Sequence, residues 1–240
     1  MIRATAILLA LTGTLQAEPL RIGTETDYRP YIFIDEAGNR DGFDVDLMAE
    51  ICARGDHDCT WVEVPFNLLF SGLAEGRFDL AIGGVGATPE RDRLVDWTRP
   101  YRRTNTASSS FAALDTDVDL DTARVGVQGG TVQEELLREN GYSAIPYISN
   151  QAAIDALFAG EVDVFFGTSG YLAQFSKAGE TPIFDLGQID YADDGPQIAV
   201  AKSNPALRDS LNALIEDMLS DGTITLLDVR WFPSAEQEDS

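Results

Sequence analysis

The chain has 240 residues, enough for one large domain or two small ones with cores of their own. Its 40 acidic against 17 basic residues give a net charge of −23, which argues against nucleic acid or an anionic membrane as partner, because phosphates would be repelled. With 44% hydrophobic and 24% charged residues the composition is otherwise that of a globular protein, and an anionic ligand would need local positive potential to bind.

Arg3 precedes the apolar run Ala6 to Leu11, and Leu15-Gln16-Ala17 offers a small residue for cleavage, so residues 1–17 read as a secretory signal. The run is too short to cross a bilayer, and no Cys stands at the cleavage site to carry a lipid. An exported, soluble mature protein is expected. Leu20 to Tyr28 then reads as a strand entering a polar turn, with Tyr28 and Tyr31 just past its end. Gly42-Phe-Asp-Val-Asp46 leads into an amphipathic helix, Val45 to Arg54, followed by a strand at Thr60 to Val64, a helix at Phe66 to Glu75 and a strand at Phe78 to Ile82. That β–α–β–α–β order implies a parallel sheet with helical crossovers. Cys52 and Cys59 fit an oxidising compartment as a disulfide that closes the helix-to-strand turn. The other reading, a metal site of two thiolates and His57, has no fourth ligand in view.

The stretch Phe78 to Arg91 carries the most chemistry. A strand ending in Gly83, Gly84 and Gly86 lets a ligand approach bare backbone N–H groups. Thr88-Pro89-Glu90 predicts a helix start, with Thr as N-cap, Pro at the first helical position and an acid in the first turn. Arg91 adds a planar fork of donors suited to a carboxylate. The competing reading makes the glycines plain turn formers and Arg91 a surface residue. Trp97 to Tyr101 is expected to end that helix, and Arg103 to Ser110 to cross as an exposed strand.

A second αβ set follows: strand Arg124 to Val127, glycine turn Gln128 to Thr131, helix Val132 to Asn140, strand Ala144 to Tyr147, helix Gln151 to Ala159, and strand Val162 to Phe166 ending in Gly167-Thr-Ser-Gly170. Ile198 to Ala201 reads as a strand returning to the first half, followed by a helix from Asn204 to Leu219 and a short last helix near Trp231. Strand, glycine turn and helix thus occur twice, and two such turns facing one another would form a cleft. Tyr28 and Phe66, on loops, read as ligand walls or as packing. Trp61, Trp97 and Trp231 read as packing, and Tyr191 as a hinge or a ligand contact.

With these residues assembled, the chain over residues 20–232 resembles the family 3 extracellular solute-binding proteins, the periplasmic receptors of polar-amino-acid ABC importers. It is closest in pattern to the histidine and lysine/arginine/ornithine branch. The resemblance rests on Gly42 to Asp46, Gly83 to Arg91, Val125 to Thr131, Ala159 to Asp163 and Ser220 to Thr223. It implies an α/β, two-lobed type II periplasmic-binding-protein fold, each lobe a mostly parallel sheet flanked by helices, joined by two crossing strands. Lobe one would be residues 18–104 and 196–240, lobe two 105–195. It implies a periplasmic monomer that closes on an amino acid or related small carboxylate and presents it to an inner-membrane ABC permease, with no catalysis, metal or cofactor. Arg91 matches the α-carboxylate-binding Arg, Tyr28 and Phe66 the residues stacking on the ligand, and Thr131 the lobe-two helix cap that reaches the carboxylate. Gly84 and Gly86 leave backbone donors where the family often has Ser, and Cys52 and Cys59 fall where the branch has a disulfide.

One departure bears on the ligand. The family's Asp that pairs with the α-ammonium aligns with Thr168, and a buried ammonium needs an acid partner. Either Asp190, Asp193 or Asp194 substitutes, or the ligand lacks an ordinary α-ammonium. A rival reading is an enzyme similar to the periplasmic cyclohexadienyl dehydratases, but the acid they place in the segment matching Gly167 to Tyr171 is absent. A second rival is the ligand-presenting component of a sensory system, which would use the same cleft.

Overall fold

The structure, a computed structural model, describes residues 19–104, 106–175 and 182–232. The expected secretory signal at residues 1–17 lies outside them. The first half runs β1 (Leu20–Thr24), β2 (Asp27–Tyr28), β3 (Ile32–Ile34), β4 (Arg40–Asp41), α1 (Phe43–Arg54), β5 (Cys59–Glu63), α2 (Leu69–Ala74), β6 (Leu80–Ala81) and β7 (Val95–Trp97). The second runs β8 (Thr106–Ala113), β9 (Val125–Gln128), α3 (Val132–Glu139), β10 (Ala144–Tyr147), α4 (Asn150–Phe158), β11 (Val164–Thr168), α5 (Ser169–Leu172) and β12 (Phe184–Ala192). The chain then returns through β13 (Ala199–Ala201), α6 (Pro205–Ser220) and α7 (Thr223–Trp231).

Two five-stranded sheets result, ordered β5-β1-β6-β13-β7 and β10-β9-β11-β8-β12. In the first, β1 is parallel to β5 and β6, whereas β13 is antiparallel to β6 and β7. The second repeats that plan, with β9 parallel to β10 and β11 and β8 antiparallel to β11 and β12. Each sheet is covered on both faces, which is why its strands read as apolar runs. Along β6 and β13, Leu80 and Val200 face a core built on Phe43, Leu47, Met48 and Ile51 of α1 and Leu211, Ile215 and Met218 of α6. The alternate residues Ala81 and Ala199 face Leu69, Phe70 and Leu73 instead. The second sheet divides the same way: Phe111, Val125 and Phe166 turn toward Leu137 of α3, and Ala112 and Phe165 toward Ile154 and Leu157 of α4. This period-two division is the pleat at work.

Several expectations are corrected. The segment from Thr88 does not open an α-helix: Thr88 Oγ1 accepts the Arg91 N–H at 3.3 Å, but only a single 3₁₀ turn, Arg91–Arg93, forms before β7. Trp97 therefore ends a strand rather than a helix, because Val95–Trp97 pairs with β13. The crossing segment near Arg103 is not exposed throughout; from Ser109 onward β8 is buried as an inner strand. The sequence reading also did not foresee the small sheet β2-β3-β4 or the long strand β12. Cys52 and Cys59 are joined in a disulfide, so they are not metal ligands. Trp97 and Trp231 pack against Phe70 and Phe33. Among the described residues no helix is long and apolar enough to cross a membrane.

Where the chain passes between the sheets it does so twice, side by side. Thr106 pairs with Ala192, and Thr104 Oγ1 donates to Asp193 O at 3.0 Å. Gly195, in the second passage at φ +99°, sits so close to the first that a Cβ would overlap the Arg102 carbonyl, so only glycine fits this crossing.

Candidate functional site

A cavity of about 730 Å³ opens between the two sheet units, and Tyr28, Phe66, Gly84, Gly86, Arg91, Thr131 and Thr168 all border it. The glycine turn after β6 sets its floor. Gly84 is held at φ +62°, and a Cβ there would lie 2.7 Å from the Tyr28 ring and 2.8 Å from Tyr31. Its N–H is not offered to the cavity, since it donates to the buried Asp44 Oδ2 at 2.7 Å. Tyr101 donates its hydroxyl to the other oxygen of Asp44 at 2.7 Å. Burial pushes the Asp44 carboxyl up to about 7, against those two hydrogen bonds. Asp44, the first Asp of the Gly42–Asp46 motif, is thus the anchor of the glycine turn.

Arg91 is 8% exposed and lies over the Phe70 ring at 4.5 Å and the Phe66 ring at 5.3 Å. Its Nη1 donates to Gly86 O at 2.9 Å and its Nη2 to Gly130 O of the opposite unit at 3.3 Å. Those bonds use two of the five N–H groups a guanidinium carries. Burial pulls its pKa down to about 10, with Glu135 and Glu90 opposing, so it remains a cation at neutral pH. Thr131 caps α3, accepting the Glu134 N–H at 3.3 Å, and gives its own hydroxyl proton to Gln128 O at 2.7 Å. Thr168 Oγ1 accepts from the Tyr28 hydroxyl at 3.2 Å, and Tyr28 runs nearly parallel to Tyr31 and Tyr171. Tyr191 also borders the cavity and accepts from Gln133 Nε2 at 3.1 Å.

The acids proposed to replace the missing partner at Thr168 divide. Asp190 is exposed and occupied by Ser108 and Gln188, at 2.6 and 2.8 Å, whereas Asp193 and Asp194 border the cavity. The sequence reading passed over a more deeply buried acid. Glu25, directly after β1, is 8% exposed and borders the cavity. Its Oε2 accepts from Gln128 Nε2 of the opposite unit at 2.7 Å, and Gln128 Oε1 accepts from Asn150 Nδ2 at 2.8 Å. Desolvation pushes the Glu25 carboxyl up to about 8, against the Gln128 hydrogen bond. An acid at a strand end beside the predicted cleft was the available signal; its partner 103 residues away was not. Asp27 was also missed. Its Oδ2 accepts the Gln151 N–H at the start of α4, at 2.9 Å. Glu25, Asp27, Tyr28 and Arg91 therefore all bond across the cleft, and the two units are closed on one another.

This two-lobed closure about a charged cavity agrees with the comparison to protein families: residues 20–234 match the bacterial extracellular solute-binding proteins, family 3. The chain belongs to this family. Among family members, an arginine-binding periplasmic protein of Mannheimia haemolytica is 31% identical over 233 residues, covering 94% of this chain and 95% of that one. A periplasmic His/Glu/Gln/Arg/opine family-binding protein from Silicibacter pomeroyi, solved in complex with lysine, superposes with a TM-score of 0.82 at 30% identity, over 90% of this chain and 98% of its own. The ancestral amino acid-binding protein AncCDT-1, a precursor of cyclohexadienyl dehydratase, superposes with a TM-score of 0.77 at 26% identity, over 89% and 95%. The relatives named here are binding proteins rather than enzymes.

Proposed function

We propose that this solute-binding protein captures a basic amino acid of the arginine or lysine type and presents it to an ABC permease in the inner membrane. One observation carries the choice of ligand: two buried ionisable groups of opposite kind, the Arg91 guanidinium and the Glu25 carboxyl, open on the same cavity. Arg91 receives the α-carboxylate with its remaining N–H groups, and Tyr28 and Phe66 flank the ligand's side chain. Glu25 receives the cationic end. The two groups bond to different points of one turn of the opposite unit, the Gly130 carbonyl and the Gln128 side-chain amide. The α-ammonium lies nearer Thr168, Asp193 and Asp194. The names of the relatives, an arginine-binding protein and a lysine complex, agree with this assignment.

The lobes are taken as residues 18–104 with 196–240, and 105–195, hinged where the two crossing segments run together. Residues 1–17 act as the secretory signal and the mature protein works as a periplasmic monomer. No acid stands in the segment from Gly167 to Tyr171, which supports binding over dehydratase catalysis. Calorimetry with arginine, lysine, citrulline and argininamide tests the assignment. Tight binding of arginine and lysine is expected, with citrulline weaker for want of a cation and argininamide weaker for want of a carboxylate. Equal affinity for all four, or for none, refutes it.

A further inference from the structure

The chain Asn150–Gln128–Glu25 has a direction. Asn150 Nδ2 donates to Gln128 Oε1, which obliges the other end of the Gln128 amide, its NH₂, to face Glu25 Oε2. Gln128 is 2% exposed and Asn150 and Glu25 are each 8% exposed, so the three polar groups are buried where an unmet partner is costly. Gln128 ends β9 and Asn150 begins α4, both in the second unit, while Glu25 belongs to the first. Fixing Oε2 of Glu25 leaves Oε1, the carboxyl's other oxygen, for the cavity.

From this we infer that Gln128 and Asn150 are positioning residues for ligand selectivity: on closure they pin one oxygen of Glu25 and aim the other at the ligand's cationic group. The inference rests on the reading of the ligand as a basic amino acid. Selectivity for the cation is then a property of the closed state, because the acid and the amide that aims it come from different lobes. Gln128 need not touch the ligand's cation; it acts through Glu25.

A double-mutant cycle tests this, with Gln128→Leu, Glu25→Gln and their combination, reading arginine and citrulline affinities by calorimetry. Gln128→Leu is expected to lower the arginine-to-citrulline affinity ratio about tenfold, as the loss of one hydrogen bond to a charged group does, over and above the affinity both ligands lose with this cross-cleft bond. In the Glu25→Gln background the same substitution should leave the ratio unchanged, because the residue it acts through is already gone. Asn150→Ala should give a smaller loss in the same direction, and serves if Gln128→Leu does not fold. Equal loss of arginine and citrulline affinity, or a full additional loss in the Glu25→Gln background, overturns the inference while leaving the basic ligand in place. A wild-type protein that does not prefer arginine over citrulline overturns both.

Discussion

Closing the empty cleft should be opposed by Glu25, and replacing it with Gln should remove that opposition. In the closed structure the Glu25 carboxyl is pushed from 4.5 up to about 8 by burial. In an open cleft it meets water and returns toward its ordinary value. Its folded, closed value is the raised one, so closure is favoured by protons: the opposition is absent below pH 4.5 and grows as the pH rises toward 8. At pH 7 closure without a cation must draw a proton across about 2.5 pH units, which at about 1.4 kcal/mol per unit costs about 3 kcal/mol, roughly a 300-fold bias toward the open state. A ligand cation beside Glu25 cancels the penalty, because the carboxylate can then stay ionised. Small-angle scattering of the unliganded protein reads the balance directly. The wild type should be open at pH 7, more compact at pH 5, and compact at either pH with arginine. Unliganded Glu25→Gln should be more compact than the wild type at pH 7 and less sensitive to pH over this range. Identical compactness of wild type and variant from pH 5 to 8 would refute the reasoning.

Three further outcomes follow from particular contacts. Asp27 bonds to Gln151 N–H across the cleft without bordering the cavity, so Asp27→Ala should speed arginine release in stopped-flow by about tenfold and leave relative ligand preference intact. Replacing both Cys52 and Cys59 by Ser removes a short cross-link worth about 2–3 kcal/mol in the chain-entropy model, lowering the melting temperature by about 5–10 °C in calorimetry. Asp44, fully buried, has a folded pKa of about 7 above its ordinary 3.8, so the folded state holds an extra proton. Its stabilising share is complete below pH 4 and is lost as the pH rises to about 7. Denaturation midpoints should fall over that window, by an effect of a few kcal/mol at most, about 1.4 per pH unit, and Asp44→Asn should flatten the fall.

Local sequence decided much of this protein. Apolar runs bounded by glycines gave strands, 3.6-residue patterns gave α1, α3, α4 and α6, and Asn204-Pro205 gave a helix start whose cap is present, as is the Thr131 cap that the family resemblance implied. The repeated strand–glycine–helix unit implied two sheets facing one cleft, and Tyr28, Phe66, Gly84, Gly86, Arg91, Thr131 and Thr168 do border a common cavity. These features are legible because periodicity, capping and glycine conformation act within a few residues. Where a local signal met a longer-range demand, the latter won. Thr88-Pro89-Glu90 has the chemistry of a helix start, yet pairing of Val95–Trp97 with β13 ends the segment after one turn.

The acid of the site belongs to the tertiary structure alone. Nothing near Glu25 in the chain says that it is buried, that Gln128 aims it, or that Asn150 fixes Gln128 in turn. Nothing near Gly84 says that its N–H is taken by Asp44, 40 residues before it. A carboxyl's ionisation depends on the water it loses and the donors it gains, and both arrive from the opposite lobe when the cleft closes.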